Sequence, residues 1–139
     1  MFLASTIKPL LNLQSDCIQL QRHQIPLLLL ISRSDCRFCL EVRRNYLTPL
    51  ADSHSEQVLM VRELQSDTAL SVIDRDGKHL TTSNLLKRLK ANFYPTVLFL
   101  AYDLSSLTDP LIGLDQAGFY GAYLERAIEA AKAQAKRMS

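Results

Sequence analysis

The most constraining stretch of this chain is the junction of a short apolar run with a closely spaced cysteine pair. Ile25-Pro26-Leu27-Leu28-Leu29-Leu30-Ile31 is uninterrupted by any polar residue, and Cys36-Arg37-Phe38-Cys39 follows within five residues. Seven apolar residues are far short of the roughly twenty that span a bilayer, so no transmembrane helix is predicted. Residues 25–32, bounded by Gln24 and by Ser32-Arg33-Ser34-Asp35, have the length of a strand buried on both faces. From Cys36 to Leu50 the apolar period turns helical, through Cys39, Val42, Tyr46, Leu47 and Leu50. Ser34 or Asp35 is the expected N-cap, and Pro49 is expected to kink or restart the helix.

The rest of the chain alternates in the same way. A helix is predicted over residues 6–23, with Pro9 in its first turn and Leu10, Leu13, Cys17 and Leu20 on one face. Residues 57–64 read as a second strand, and residues 71–80 as a small excursion turning at Asp76-Gly77. Ser83 is the expected cap of a helix reaching about Lys90, with Leu85, Leu86 and Leu89 as its apolar face. Thr96 to Tyr102 reads as a third strong strand, and Leu111 to Leu114 as a short edge strand. A final amphipathic helix is predicted over about 118–136, with Tyr120, Tyr123, Leu124, Ala127, Ile128 and Ala131 inward. Strands separated by helices predict an open α/β sheet covered on both faces. No linker divides the chain, so its 139 residues are expected to form a single domain.

Composition narrows the function classes. Sixteen basic and fourteen acidic residues leave a formal charge of +2, which gives no reason to expect a nucleic-acid partner. Three cysteines are too few for a disulfide scaffold. Met1 to Asn12 has no basic residue before its apolar part and is broken by Lys8, so it does not read as a secretory leader.

Position gives the cysteine pair a chemistry. Cys36 opens a helix directly after a buried strand, where unpaired N–H groups and the helix dipole favour an anion. A thiolate is the reactive species at such a place. Cys36 is therefore the expected attacking thiol, and Cys39, one turn later and inward, the resolving one. The same spacing also suits half a zinc site or two buried structural thiols. Zinc needs four ligands, and Cys17, His23, His54 and His79 are scattered without ligand spacing. Cys17, on an apolar helix face, reads as a structural thiol. Tyr94-Pro95 stands at the entrance to a central strand, where proline cannot donate to the ladder. Taken alone this is an ordinary trans loop proline; beside an upstream redox C-x-x-C, a cis bond in a tight turn becomes the expected form.

These residues together resemble a thioredoxin-fold thiol–disulfide oxidoreductase, in particular the SoxW-like branch of bacterial thioredoxin-related proteins. The resemblance rests on Ser34-Asp35-Cys36-Arg37-Phe38-Cys39, on Val58 to Leu64, on Asp76-Gly77-Lys78 through Leu85 to Tyr94-Pro95-Thr96-Val97-Leu98-Phe99, and on Gly118-Phe119-Tyr120. It covers roughly residues 25–136, leaving 1–24 as an N-terminal helical extension. It implies a thioredoxin-like fold with a central mixed sheet of four or five strands and helices on both faces. It also implies thiol–disulfide exchange between Cys36–Cys39 and a protein substrate held beside Tyr94 and Pro95, with Arg37 and Phe38 at the same surface. Electrons pass to or from a redox partner's thiols, and no metal or organic cofactor is implied. A monomer is favoured. The branch implies a periplasmic location, with the cytoplasm as the alternative. A second reading keeps the fold but makes the protein a binding or assembly module with non-catalytic cysteines.

The chain departs from thioredoxin at several places. Asp35 stands where thioredoxin has a tryptophan, and Arg37-Phe38 replaces Gly-Pro. Leu30 occupies the strand position of thioredoxin's buried acid, whose proton-transfer role is then open or passes to a group such as Glu41 or Glu63. Arg37 is expected to favour the Cys36 thiolate and Asp35 to oppose it. Arg62 falls where thioredoxin places a strand lysine and reads as a solvated charge at a strand end.

Overall fold

The computed structural model describes residues 7–115 and 117–138. The element order is β1 (Lys8–Pro9), α1 (Leu13–His23), β2 (Leu27–Ser32), α2 (Arg37–Val42), a π-helical turn (Arg43–Leu47), α3 (Thr48–Ser53), β3 (Met60–Gln65), β4 (Ser71–Ile73), β5 (His79–Thr81), α4 (Thr82–Leu89), β6 (Thr96–Leu100), β7 (Leu111–Ile112) and α5 (Tyr120–Arg137). Five strands form one mixed sheet in the order β1-β3-β2-β6-β7, and β4-β5 is a separate antiparallel hairpin. β1 and β2 run parallel to β3, whereas β6 is antiparallel to both β2 and β7.

β2 is the centre because every one of its residues can be buried. All six are buried, and alternate side chains enter two separate cores. Leu28 and Leu30, with Val97 and Phe99 of β6, meet Val42, Leu47 and the inner face of α5. Leu27, Leu29 and Ile31 meet Leu13, Cys17 and Leu20 of α1 and Leu85 and Leu86 of α4. Burying each such side chain contributes roughly 1.5–3 kcal/mol, and this two-sided arrangement fixes where β2 must end and release the cysteine loop.

Several elements differ from the sequence expectation. The first helix begins at Leu13, where Asn12 caps it by accepting the Ser15 amide at 3.1 Å. The expected start at Thr6 lies outside the described residues. Pro9 belongs to edge strand β1, a place that tolerates a missing N–H. Leu10 extends that edge by donating its amide to Glu63 O at 2.8 Å. β3 starts three residues later than expected, because the Val58 and Leu59 amides turn back onto Ser55 O. The cap of α4 is Thr81, which accepts the Asn84 amide at 3.1 Å, and not Ser83. The cap of α2 is Cys36 rather than Ser34 or Asp35. The break in the helix precedes Pro49: a π turn over Arg43–Leu47 absorbs it, and Pro49 sits in the first turn of α3. Tyr123 is 43% exposed on α5 and not part of the core; the Arg126 guanidinium lies 5.6 Å from its ring centre.

The Tyr94–Pro95 peptide bond is cis. Gly77, at φ +84°, makes the turn between β4 and β5, and the Asp74 carboxylate accepts the Asp76 and Lys78 amides across it, both at 2.9 Å. No helix among the described residues is long and apolar enough to cross a membrane.

Candidate functional site

β2 ends at Ser32, and the next four residues carry the chain off the end of the central strand to Cys36. That loop is tied down on both sides. Ser34 donates its amide to the Asp67 carboxylate at 3.1 Å and its hydroxyl to the same group. The Ser34 hydroxyl, more than any other group, holds the Asp67 carboxyl below the usual aspartate range. Arg33 forms an ion pair with Asp35 at 3.2 Å, and its guanidinium lies 5.7 Å from the Tyr94 ring centre.

Cys36 and Cys39 are joined as a disulfide with their Cα atoms 5.2 Å apart. Cys36 Sγ also accepts the Cys39 amide at 3.1 Å, so this sulfur is itself the side-chain cap of α2. An amide donor aimed at sulfur favours the thiolate over the thiol. The two sulfurs differ in access: Cys36 is half-buried, whereas Cys39 is fully buried against the sheet. Arg37 is exposed beside Cys36, and Phe38 and Leu40 leave 40% and 43% of their surface in solvent. The surroundings of the disulfide therefore combine the Arg37 cation and two apolar side chains with the exposed acids Asp35 and Glu41.

Of the residues singled out by sequence, Cys36, Arg37, Phe38 and Cys39 sit together by contiguity. Tyr94 reaches the loop before them through Arg33. Pro95 is buried, and its carbonyl accepts the Gly113 amide at 2.7 Å. Arg33, Ser34 and Asp67 were not legible as site residues. Their partners lie across the sheet, and Arg33–Asp35 alone is an unremarkable pair of surface charges.

The acids and the strand cation fall differently from expectation. Arg62 is not a solvated strand end: it lies mid-strand with 11% side-chain exposure, paired to Glu56 at 2.7 Å and to Asp16 at 3.4 Å. Glu63, not Arg62, faces Leu30 across the ladder. Its carboxylate accepts Ser32 Oγ at 2.6 Å and Arg43 Nε at 2.8 Å. Glu41 is exposed on α2. Cys17 is 5% exposed, and burial pushes its thiol above the ordinary range. Among the described residues, no group of three or more His, Cys, Asp or Glu side chains is placed to hold a metal ion.

No protein-family model matches the chain. No curated protein matches it in sequence. Solved structures do match. DsbH oxidoreductase aligns with a TM-score of 0.63 at 17% identity, covering 93% of this chain and 88% of its own. Thioredoxin O2 of Arabidopsis thaliana, in the oxidized state, aligns with a TM-score of 0.60 at 14% identity, covering 93% and 96%. The periplasmic thioredoxin SoxS of Paracoccus pantotrophus aligns with a TM-score of 0.50 at 17% identity, covering 76% and 98%. At these identities the likeness is one of architecture, and with the mixed sheet, its two helical layers and the cysteine pair at the start of α2 it leads to one conclusion: the chain has the thioredoxin fold.

Proposed function

We propose that the protein exchanges its Cys36–Cys39 dithiol and disulfide with cysteines of other proteins. The observation that carries this is the asymmetry of the pair: a half-buried Cys36 capping α2 and a fully buried Cys39 one turn below it. In the reducing direction the Cys36 thiolate attacks one sulfur of a substrate disulfide, and the other substrate sulfur leaves as a thiolate. Cys39 then loses its proton and attacks Cys36 Sγ. The mixed disulfide breaks, the Cys36–Cys39 bond forms, and the substrate departs with both sulfurs reduced. Two electrons pass from protein to substrate, and the oxidising direction reverses each step.

The substrate segment lies beside Tyr94 and Pro95, with Arg37 and Phe38 at the same surface. β1, paired to β3, brings the N-terminal part into the same sheet, which supports reading the chain as one working unit. The resemblance to SoxW-like proteins supports a periplasmic location, and SoxS, a periplasmic thioredoxin, shares the architecture.

The test is a redox titration of the folded protein against glutathione and dithiothreitol buffers, with alkylated thiols counted by mass. A reversible two-electron transition supports exchange. Its midpoint, on a scale running from about −270 mV for thioredoxin to about −120 mV for DsbA, sets the direction of electron flow. A pair that opens only on unfolding refutes exchange and leaves a binding module with structural cysteines.

A further inference from the structure

The loop bearing the disulfide and the loop bearing Pro95 meet through one cation, and beyond it the surface stays basic. β2 and β6 pair antiparallel with Ile31 opposite Thr96, a register that runs Arg33 out alongside Tyr94. Arg33 there covers the Tyr94 ring. Tyr94 also lines an open cavity of about 430 Å³ together with Leu86 and Lys87 of α4 and its C-cap Lys90. A neighbouring cavity of about 300 Å³ shares Lys90 and adds Phe93, Leu98 and Ile112. Phe93 and Ile112 are 54% and 63% exposed.

The charges do not balance along this track. Of the acids nearest the disulfide, Asp35 pairs with Arg33, while Asp67, bonded to the neutral Ser34, and exposed Glu41 keep their charge, so the excess of cations begins beyond Tyr94. Asp74, on the far side of α4, lies 4.0 Å from Arg88. Lys87 and Lys90, which line the cavity beside Tyr94, are exposed and have no acidic partner among the described residues.

We propose that this cationic track selects protein substrates whose cysteine is followed or preceded by aspartate or glutamate, with an apolar side chain set against Phe93 and Leu98. The inference rests on the exchange reading and adds the substrate class to it. Exposed cations of this kind act through the rate of encounter more than through held contacts, and their effect is screened by salt.

Three peptides carrying one intramolecular disulfide, flanked by Glu, Ser or Lys, distinguish the outcomes. The protein is reduced with dithiothreitol, freed of it, and mixed with each peptide; the reaction is quenched by alkylation and read by mass. Each rate is divided by that of the same peptide with dithiothreitol, which removes differences in intrinsic reactivity. The Glu peptide is expected to react about tenfold faster than the Lys peptide at low ionic strength, with the ratio shrinking severalfold in 0.5 M salt. Lys87→Gln combined with Lys90→Asn (asparagine suits the left-handed cap at φ +56°) is expected to lower that ratio. If the double variant does not fold, Lys87→Gln alone removes a cation from the same track and is expected to lower the ratio as well. Equal normalised rates for all three peptides overturn the inference while leaving exchange intact. Failure of dithiothreitol to open the disulfide in the folded protein overturns both.

Discussion

Glu63 lies directly across the parallel ladder from Leu30, and its carboxylate is held by Ser32 and Arg43 rather than by anything on Leu30's strand position. The pair is only slightly open, with side-chain exposures of 22% for Arg43 and 12% for Glu63. The hydrogen bond to Glu63 is the main reason the Arg43 guanidinium is held above its ordinary range. Removing one partner of such a pair leaves a poorly solvated charge. Arg43→Met is expected to cost about 2 kcal/mol, below the 3–5 kcal/mol of fully buried pairs because water still reaches the site. Adding Glu63→Gln is expected to recover about half of that loss, since the stranded charge goes and Ser32 keeps its acceptor. Urea denaturation of the two variants checks this; a double variant less stable than the single would reverse the assignment.

The three thiols should label in a fixed order. In the reduced folded protein Cys36 is expected to take iodoacetamide first, because it is the accessible member of the pair. Cys17 and Cys39 are 5% and 0% exposed, and burial raises the Cys17 thiol further. Mass analysis should show one adduct at pH 8 under native conditions and three in denaturant.

Acid should loosen the cysteine loop through Asp67. Its carboxyl is held below the ordinary value of about 3.9, first by the Ser34 hydroxyl and then, against burial, by the Ser34 amide. A depressed folded-state value means that the stabilisation is complete above the unfolded value and is lost as pH falls through the folded one. Asp67→Asn already lacks that contribution. Its stability is therefore expected to fall less than that of the unsubstituted protein between about pH 5 and pH 2. Denaturant midpoints at pH 7, 4 and 2.5 test the sign: parallel curves would show that Asp67 holds nothing.

Tyr120 hides a hydroxyl that has no partner among the described residues. The residue is 2% exposed, its ring centre is 4.9 Å from that of Tyr46, and its oxygen finds no hydrogen bond among the described residues. Burial pushes its ionisation well above the ordinary tyrosine range. A buried hydroxyl left unpaired costs about 1–3 kcal/mol. Tyr120→Phe keeps the ring contact and is expected to stabilise the protein by about 1 kcal/mol. Thermal unfolding should show a higher midpoint; a lower one would mean that the hydroxyl is satisfied in solution by water.

Much of the fold and half of the site could be read along the chain. The length of the run Leu27 to Ile31 favoured a buried strand, and the position of Cys36 after it made the pair a candidate for redox chemistry before any contact was known. Those features are local: burial on both faces demands unbroken apolar residues, and a helix start demands a cap within a few residues. The failures were also local in origin. The apolar spacing of Leu10, Leu13, Cys17 and Leu20 carried the helix too far toward the N-terminus, because nothing nearby reveals that Lys8 and Pro9 pair with Arg62 and Glu63 more than fifty residues on.

By itself, then, the sequence determined the strand-then-helix placement of Cys36 and Cys39, the burial of β2 and the amphipathic faces of α4 and α5. Only the tertiary structure decided that Glu63 faces Leu30, that Asp67 clasps Ser34, and that Arg33 bridges to Tyr94. Periodicity is a property of neighbours along one chain segment, whereas strand order and register come from hydrogen bonds between distant segments, and a shift of one residue in register turns every side chain to the other face.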